Sequence, residues 1–154
     1  MADACHGGSD EIVEYLLEKG ADVKLVPYAI FDAILNPITL GLLLKNGADV
    51  NVRKSKDDPI EPGYQPIHFV ALTSRKESLK MLLEAKADPR SLTTHGETPL
   101  DILKYGHDYI QKSGRSTPQR EQDYREMEEM LIKAENLRPT PSVEGEEGKN
   151  NIDD

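Results

Sequence analysis

Tryptophan is absent from this chain, phenylalanine occurs twice and cysteine once. With so little aromatic bulk the core must come from aliphatic side chains, and Leu, Ile and Ala dominate the apolar positions. The single thiol, Cys5, excludes an intramolecular disulfide and a cysteine-based metal cluster. No apolar run approaches the length of a membrane span, and Met1 to Asp10 lacks the apolar stretch of a signal peptide. Basic charge is short as well: 19 Lys and Arg stand against 28 Asp and Glu, a formal charge of −9. Phosphate binding needs a basic face, so nucleic acid is not an expected partner. No run of Lys or Arg suggests an anionic membrane surface either. These absences lead us to expect a helical cytoplasmic or nuclear protein, monomeric when free.

What is present is repetition, and self-similarity decides architecture before any local pattern does. YLLEKGADV (15–23), LLLKNGADV (42–50) and MLLEAKADP (81–89) answer one another. A second phrase precedes them: QPIH (65–68), TPLD (98–101) and, more faintly, VPYA (26–29). Together these residues resemble the ankyrin-repeat family, whose unit is a turn-shaped finger followed by two antiparallel helices. The resemblance implies an all-α ankyrin-repeat solenoid of stacked helix–turn–helix units with irregular fingers.

The spacings agree where helices pair and disagree where fingers connect them. The family needs 15 positions from the motif proline to the first residue of the leucine triplet; Pro27 to Leu42 and Pro66 to Met81 both give 15. From Asp to the next motif proline it needs 11. Asp88 to Pro99 gives 11, Asp22 to Pro27 only 5, and Asp49 to Pro66 gives 17. One finger has lost six residues and the next has gained six. Solenoids tolerate length changes in connections, because the helices carry the stacking core.

Five segments follow: a partial capping unit (1–23), a unit with a shortened finger (24–50), a unit with a six-residue finger insertion (51–89), a divergent C-terminal capping unit (90–138) and an acidic tail (139–154). About sixteen residues are expected between the helices of the last unit, since Pro99 to Met130 spans 31 positions. The tail carries five acids against Lys149, too few apolar groups to order itself.

Cap chemistry places the helix ends. Thr98, Asn36 and Thr117 each precede a proline, the pattern of an N-cap followed by the first helical position. Gln65 and Val26 are poorer caps. Gly20 and Gly47 suit the left-handed position after a helix, where Lys86 stands in the third repeat at a cost of about 1 kcal/mol. The last helix, about 118–136, carries Tyr124, Met127, Leu131 and Ala134 on one stripe. Glu121/Arg125 and Glu129/Lys133 are spaced as i,i+4 pairs on its polar face.

Chemistry for catalysis is lacking. The resemblance implies that His68 hydrogen-bonds backbone groups of neighbouring turns. Cys5 and His6, adjacent in sequence, do not face each other on a helix, and Cys5 matches a small-residue packing position. His95 and His107 read as solvated loop or helix-end residues. Neither a metal-binding pair, a phosphate-cradling loop nor a nucleophile elbow occurs. We therefore expect no enzyme activity, no cofactor and no metal.

The resemblance further implies that finger tips and the inner helix face form a concave surface gripping another protein. Mapped onto this chain, the outward positions are Glu61, Tyr64, Leu72 and Thr73, followed by Thr94, His95, Glu97 and Tyr105, with the two tyrosines as anchors. The inserted finger, 53–63, enlarges that surface. In the second unit the same mapping offers Leu25, Ala33 and Ile34 as outward positions, beside a gap left in the concave wall by the shortened finger. The expected role is an adaptor or stoichiometric regulator. Alternatives are the ankyrin portion of a larger enzyme or bacterial effector, and an acidic chaperone or decoy for a basic protein.

Overall fold

In the computed structural model, which describes Met1, Ala4 and residues 9–137, the helices that begin at Pro37, Pro99 and Pro118 follow side chains that satisfy free backbone N–H groups. Seven α-helices are defined among the described residues: α1 (Asp10–Glu18), α2 (Ala29–Ala33), α3 (Pro37–Lys45), α4 (Pro66–Thr73), α5 (Lys76–Glu84), α6 (Pro99–Lys112) and α7 (Pro118–Leu137). A 3-10 turn covers Val23–Leu25, and no strand occurs among the described residues. Thr98 Oγ1 accepts from the Asp101 N–H at 3.1 Å, while Asp101 accepts from the Thr98 N–H at 2.9 Å, a reciprocal cap on α6. Asn36 caps α3 through the Ile38 N–H at 3.0 Å, and Thr117 accepts from the Arg120 N–H at 3.3 Å.

The helices stack in two layers. α2, α4 and α6 touch in succession as the inner layer; α1, α3, α5 and α7 do so as the outer one, and α2/α3, α4/α5 and α6/α7 pair across. Leu43 of α3 and Leu82 of α5, in adjoining outer helices, are both buried, as are Ile30, Ile67 and Leu103 of the inner helices. Each such side chain contributes about 1.5–3 kcal/mol by leaving water. Ser78 ties successive repeats by donating to the Ile34 carbonyl at 2.6 Å. On α7, Met127 and Leu131 are buried and Tyr124 and Ala134 half-buried, so the expected stripe closes the stack.

Several expectations are corrected. α2 begins at Ala29 and not at Pro27, because Val26 offers no capping group and Asp22 instead caps the 3-10 turn through the Lys24 N–H at 2.9 Å. In that register Ala33 and Ile34 are fully buried and cannot meet a partner, whereas Leu25 is exposed. The extra length in the last helix pair is mostly helix: α6 runs 14 residues where α4 runs 8, and α7 runs 20. Neither Glu121/Arg125 nor Glu129/Lys133 forms an ion pair among the described residues; Glu121 turns instead to His107 at 3.6 Å. Lys86 does adopt φ +73°, as its place after α5 requires. Cys5, His6 and the tail 139–154 lie outside the described residues.

Candidate partner-binding surface

The six-residue finger insertion builds most of one edge. The connection 46–65 folds back on itself through the Lys54 N–H on the Tyr64 carbonyl (2.8 Å) and the Gly63 N–H on the Ser55 carbonyl (3.1 Å). At its tip Asp58 accepts from the N–H groups of Glu61 (2.8 Å) and Ile60 (3.0 Å), bonds that hold its carboxyl below the ordinary carboxylate range. Arg53 clips this finger to the next, donating to the Gly63 carbonyl at 2.7 Å and the Leu92 carbonyl at 2.5 Å. Thr94 completes the clip: its N–H and hydroxyl both donate to the Pro62 carbonyl, at 3.3 and 3.0 Å.

Lys54 reaches back across the face. Its ammonium pairs with Glu61 and lies 5.1 Å from the Phe31 ring centre and 5.8 Å from that of Phe69. The two rings meet edge to face at 6.2 Å. Phe31 is consequently buried, and the gap expected beside the shortened finger is covered by the longer one.

His68 is a frame residue. Its Nδ1 accepts from the Gln65 N–H at 3.0 Å, which leaves Nε2 protonated to donate to the Ser91 carbonyl at 2.9 Å. Burial pushes its pKa below the ordinary histidine value. Gln65 makes no cap of its own; its amide N–H donates to the Asn51 carbonyl at 2.8 Å, leaving its buried Oε1 without a partner.

The eight residues expected on the surface separate into two groups. Glu61, Tyr64, Thr94, His95 and Glu97 lie along the fingers. Tyr64 is half-buried, its ring 5.6 Å from that of His68, and burial together with Glu97 and Glu61 raises its hydroxyl pKa. Thr94, His95 and Glu97 are exposed, while the Glu61 carboxylate is engaged by Lys54. Leu72, Thr73 and Tyr105 lie at the other end of the inner helices, roughly 12 Å along α4 from Tyr64 by helical rise. They line a cleft of about 500 Å³.

This cleft exists because α6 outruns α4. Past the end of α4 at Thr73, the second half of α6 overhangs the 74–75 connection and meets the start of α7. Tyr105 and Tyr109, one turn apart, are 74% and 60% exposed, and Leu72 41%. His107 is not solvated as expected; it stacks on Tyr124 at 3.7 Å with 13° between the rings. Tyr124 donates to Glu128, and its hydroxyl pKa is pushed up to about 12, chiefly by burial.

Sequence reasoning named the finger 53–63 without singling out Ile60, and missed Tyr109, Arg75 and Arg120. Ile60, 82% exposed at the finger tip, was visible as an aliphatic residue in a charged segment. Tyr109 was visible as the i+4 neighbour of Tyr105. The two arginines had no signal, since the cleft that gathers them depends on helix lengths. Among the described residues no group of His, Cys, Asp and Glu is placed to hold a metal ion, and no helix is long and apolar enough to cross a membrane.

Comparison with known proteins agrees with this architecture. The ankyrin-repeat family description matches residues 2–26. The chain is 32% identical over 111 residues to tyrosine-protein kinase HTK16 of Hydra vulgaris, a match covering 66% of this chain and 14% of the kinase. It is 33% identical over 104 residues to E3 ubiquitin-protein ligase KEG of Arabidopsis thaliana, covering 63% of this chain and 6% of the ligase. The matched region is thus a small part of either relative. The repeated phrases, the helix pairs stacked in two layers and the match at residues 2–26 together give this chain the architecture of an ankyrin-repeat solenoid.

Proposed function

We propose that this chain is an adaptor or stoichiometric regulator that holds a partner protein on the face made by its fingers and inner helices. Ankyrin repeats bind other proteins, and that general role needs no chemistry from the repeat itself. The observation that supports the finer reading is the exposure of Thr94, His95 and Glu97 along the fingers, with Tyr105 exposed at the far end of the inner helices. Tyrosines are favoured anchors because they bury a large rigid area at low entropic cost. A cytoplasmic or nuclear location and a monomeric free state belong to the same proposal.

The test is affinity capture from the source cells with the wild-type chain and with Tyr64→Ala/Tyr105→Ala. The same partner should be retained by the first and lost by the second, at unchanged circular dichroism. Equal retention by both would place the contact elsewhere.

A second reading, that the module serves a larger enzyme, draws on both relatives being a kinase and a ligase many times longer than the matched region. The mass of the native polypeptide in source cells separates the two: a mass well above 17.2 kDa supports the second.

A further inference from the structure

We propose that the cleft beneath the α6 overhang is a docking site for a partner segment in which a carboxylate side chain neighbours an aromatic or aliphatic one. The inference rests on the protein-binding reading above and adds to it a second contact region and the chemistry of what enters.

The apolar part of the cleft is set by Leu72, Tyr105 and Tyr109, all substantially exposed, with Ile110 behind them. Its volume, about 500 Å³, lies in the range of natural binding pockets and accommodates two or three side chains. Three tyrosine-sized or aliphatic groups left in water beside a concavity favour a ligand that removes them from it.

Charge supplies the second half of the argument. The carboxylate on the cleft lining, that of Asp123, is already engaged. Lys76 holds Asp123 at 2.7 Å and Glu126 at 3.0 Å. Glu121 takes hydrogen bonds from Gln111 at 3.0 Å and from Ser116. Two guanidinium groups remain on the lining, those of Arg75 and Arg120, and neither makes an ion pair among the described residues. Arg120 spends one nitrogen on the Arg115 carbonyl at 2.7 Å, which fixes the group and leaves the rest of its fork available. In a chain of net charge −9 the cleft lining thus carries two guanidinium groups against one carboxylate, that of Asp123. An acid delivered to it gains a planar, bidentate partner, while the same acid is repelled over most of the remaining surface. Two cations cannot track a nucleic-acid backbone, so a peptide is the fitting occupant.

Fluorescence anisotropy with the full chain tests this directly. The probe is a short labelled peptide with Asp and Glu flanking Phe and Leu. One control replaces the acids by Lys; a second replaces Phe and Leu by Ser. The expected result is that the probe binds at least about tenfold tighter than either control. Arg75→Glu/Arg120→Glu should weaken it by about tenfold or more. Tyr109→Ser should weaken it too, and Tyr64→Ala, on the finger side, should leave it unchanged. Should the charge-reversed chain misfold by circular dichroism, Arg75→Gln and Arg120→Gln replace it with the same expectation. Equal binding of all three peptides, no binding of any, or full affinity in the arginine variants overturns the proposal. Loss on Tyr64→Ala with retention in the arginine variants also overturns it, yet leaves the finger-face reading standing.

Discussion

The ammonium of Lys54 lies 5.1 Å from the centre of the Phe31 ring, although the two residues belong to successive repeats and sit 23 positions apart. One finger is six residues short and the next six residues long, and this contact is where the surplus covers the deficit. The long finger folds back so that its lysine stem shields the ring the short finger would have sheltered, while Glu61 holds the charge in place. Compensation between neighbouring repeats is what a quasi-one-dimensional fold permits, since each unit touches only its neighbours.

Lys54→Ala should therefore cost about 1–2 kcal/mol, combining a lost cation–π contact with a Glu61 carboxylate left only partly hydrated. Lys54→Met, which keeps the stem, should cost less, and Glu61→Gln in the Lys54→Ala background should recover part of the loss. Urea denaturation of wild type, the two Lys54 variants, Glu61→Gln and the double variant measures this. Independent contributions of Lys54 and Glu61 would mean that the ion pair does not hold the finger, and equal losses in Lys54→Ala and Lys54→Met would mean that the lysine stem does not shelter Phe31.

Three left-handed positions predict effects of different size and sign. Gly63 has φ +73°, and a Cβ there would sit 2.8 Å from Thr94 Cγ2 and 3.0 Å from the Thr94 nitrogen. Gly63→Ala should lower stability by more than the roughly 1 kcal/mol of backbone strain alone. Gly20→Ala, whose Cβ would meet nothing within 4 Å, should show only that backbone cost. Lys86, also at φ +73°, already carries it, so Lys86→Gly should raise the melting temperature by about 2–4 °C. A fall on Lys86→Gly would mean that its side chain contributes more than its backbone costs.

Much of this fold was legible because short-range chemistry determines it. Thr98 and Asn36 cap where a hydroxyl or amide precedes proline, Lys86 turns left-handed where the repeat has glycine, and Leu43 and Leu82 fall in adjoining repeats because the leucine phrases repeat. Ala33 and Ile34 were misread as outward because a finger shortened by six residues moves the start of α2. A late start rotates every later side chain relative to the core. Counting from Pro99 to Met130 measured the extra length but not its conformation. That length became helix, which produced the overhang and gathered Tyr109, Arg75 and Arg120 from three chain segments. No local pattern announces such a cleft. Exposed Tyr105, by contrast, was found from the repeat alone.

Below neutral pH His68 should weaken the fold. Its folded pKa is lowered from 6.5, mainly by burial, so between that value and its folded pKa the unfolded imidazole takes up a proton that the folded one refuses. Stability present above pH 6.5 is then lost as pH falls through this window. His68→Gln should be less stable than wild type at pH 7.5, since it cannot serve both the Gln65 N–H and the Ser91 carbonyl with the same geometry. The difference should narrow by pH 5.5, because glutamine has no proton to gain. Urea midpoints of both chains across that range decide it; a constant difference would show that His68 stays neutral in both states or charges equally in both.

Arg53 holds the two fingers together, and its loss should loosen them without dissolving the stack. One guanidinium nitrogen serves the Gly63 carbonyl at 2.7 Å and the Leu92 carbonyl at 2.5 Å, joining connections 39 positions apart. Hydrogen bonds from a charged donor are worth about 1.5–3 kcal/mol each where they are sheltered. Arg53 is exposed, so Arg53→Ala should cost nearer 1 kcal/mol in global stability. The larger effect should be local. The Thr94 and Gly63 N–H groups, which bridge to Pro62 and Ser55, should exchange with solvent several-fold faster, while core amides such as those of α5 keep their protection. Arg53→Lys should fall between, because an ammonium on a shorter stem cannot reach both carbonyls with the geometry of a planar fork. If Arg53→Ala accelerated exchange equally in α5 and in the fingers, the clip would be part of the global core, and the finger edge would have no independent motion for a partner to arrest.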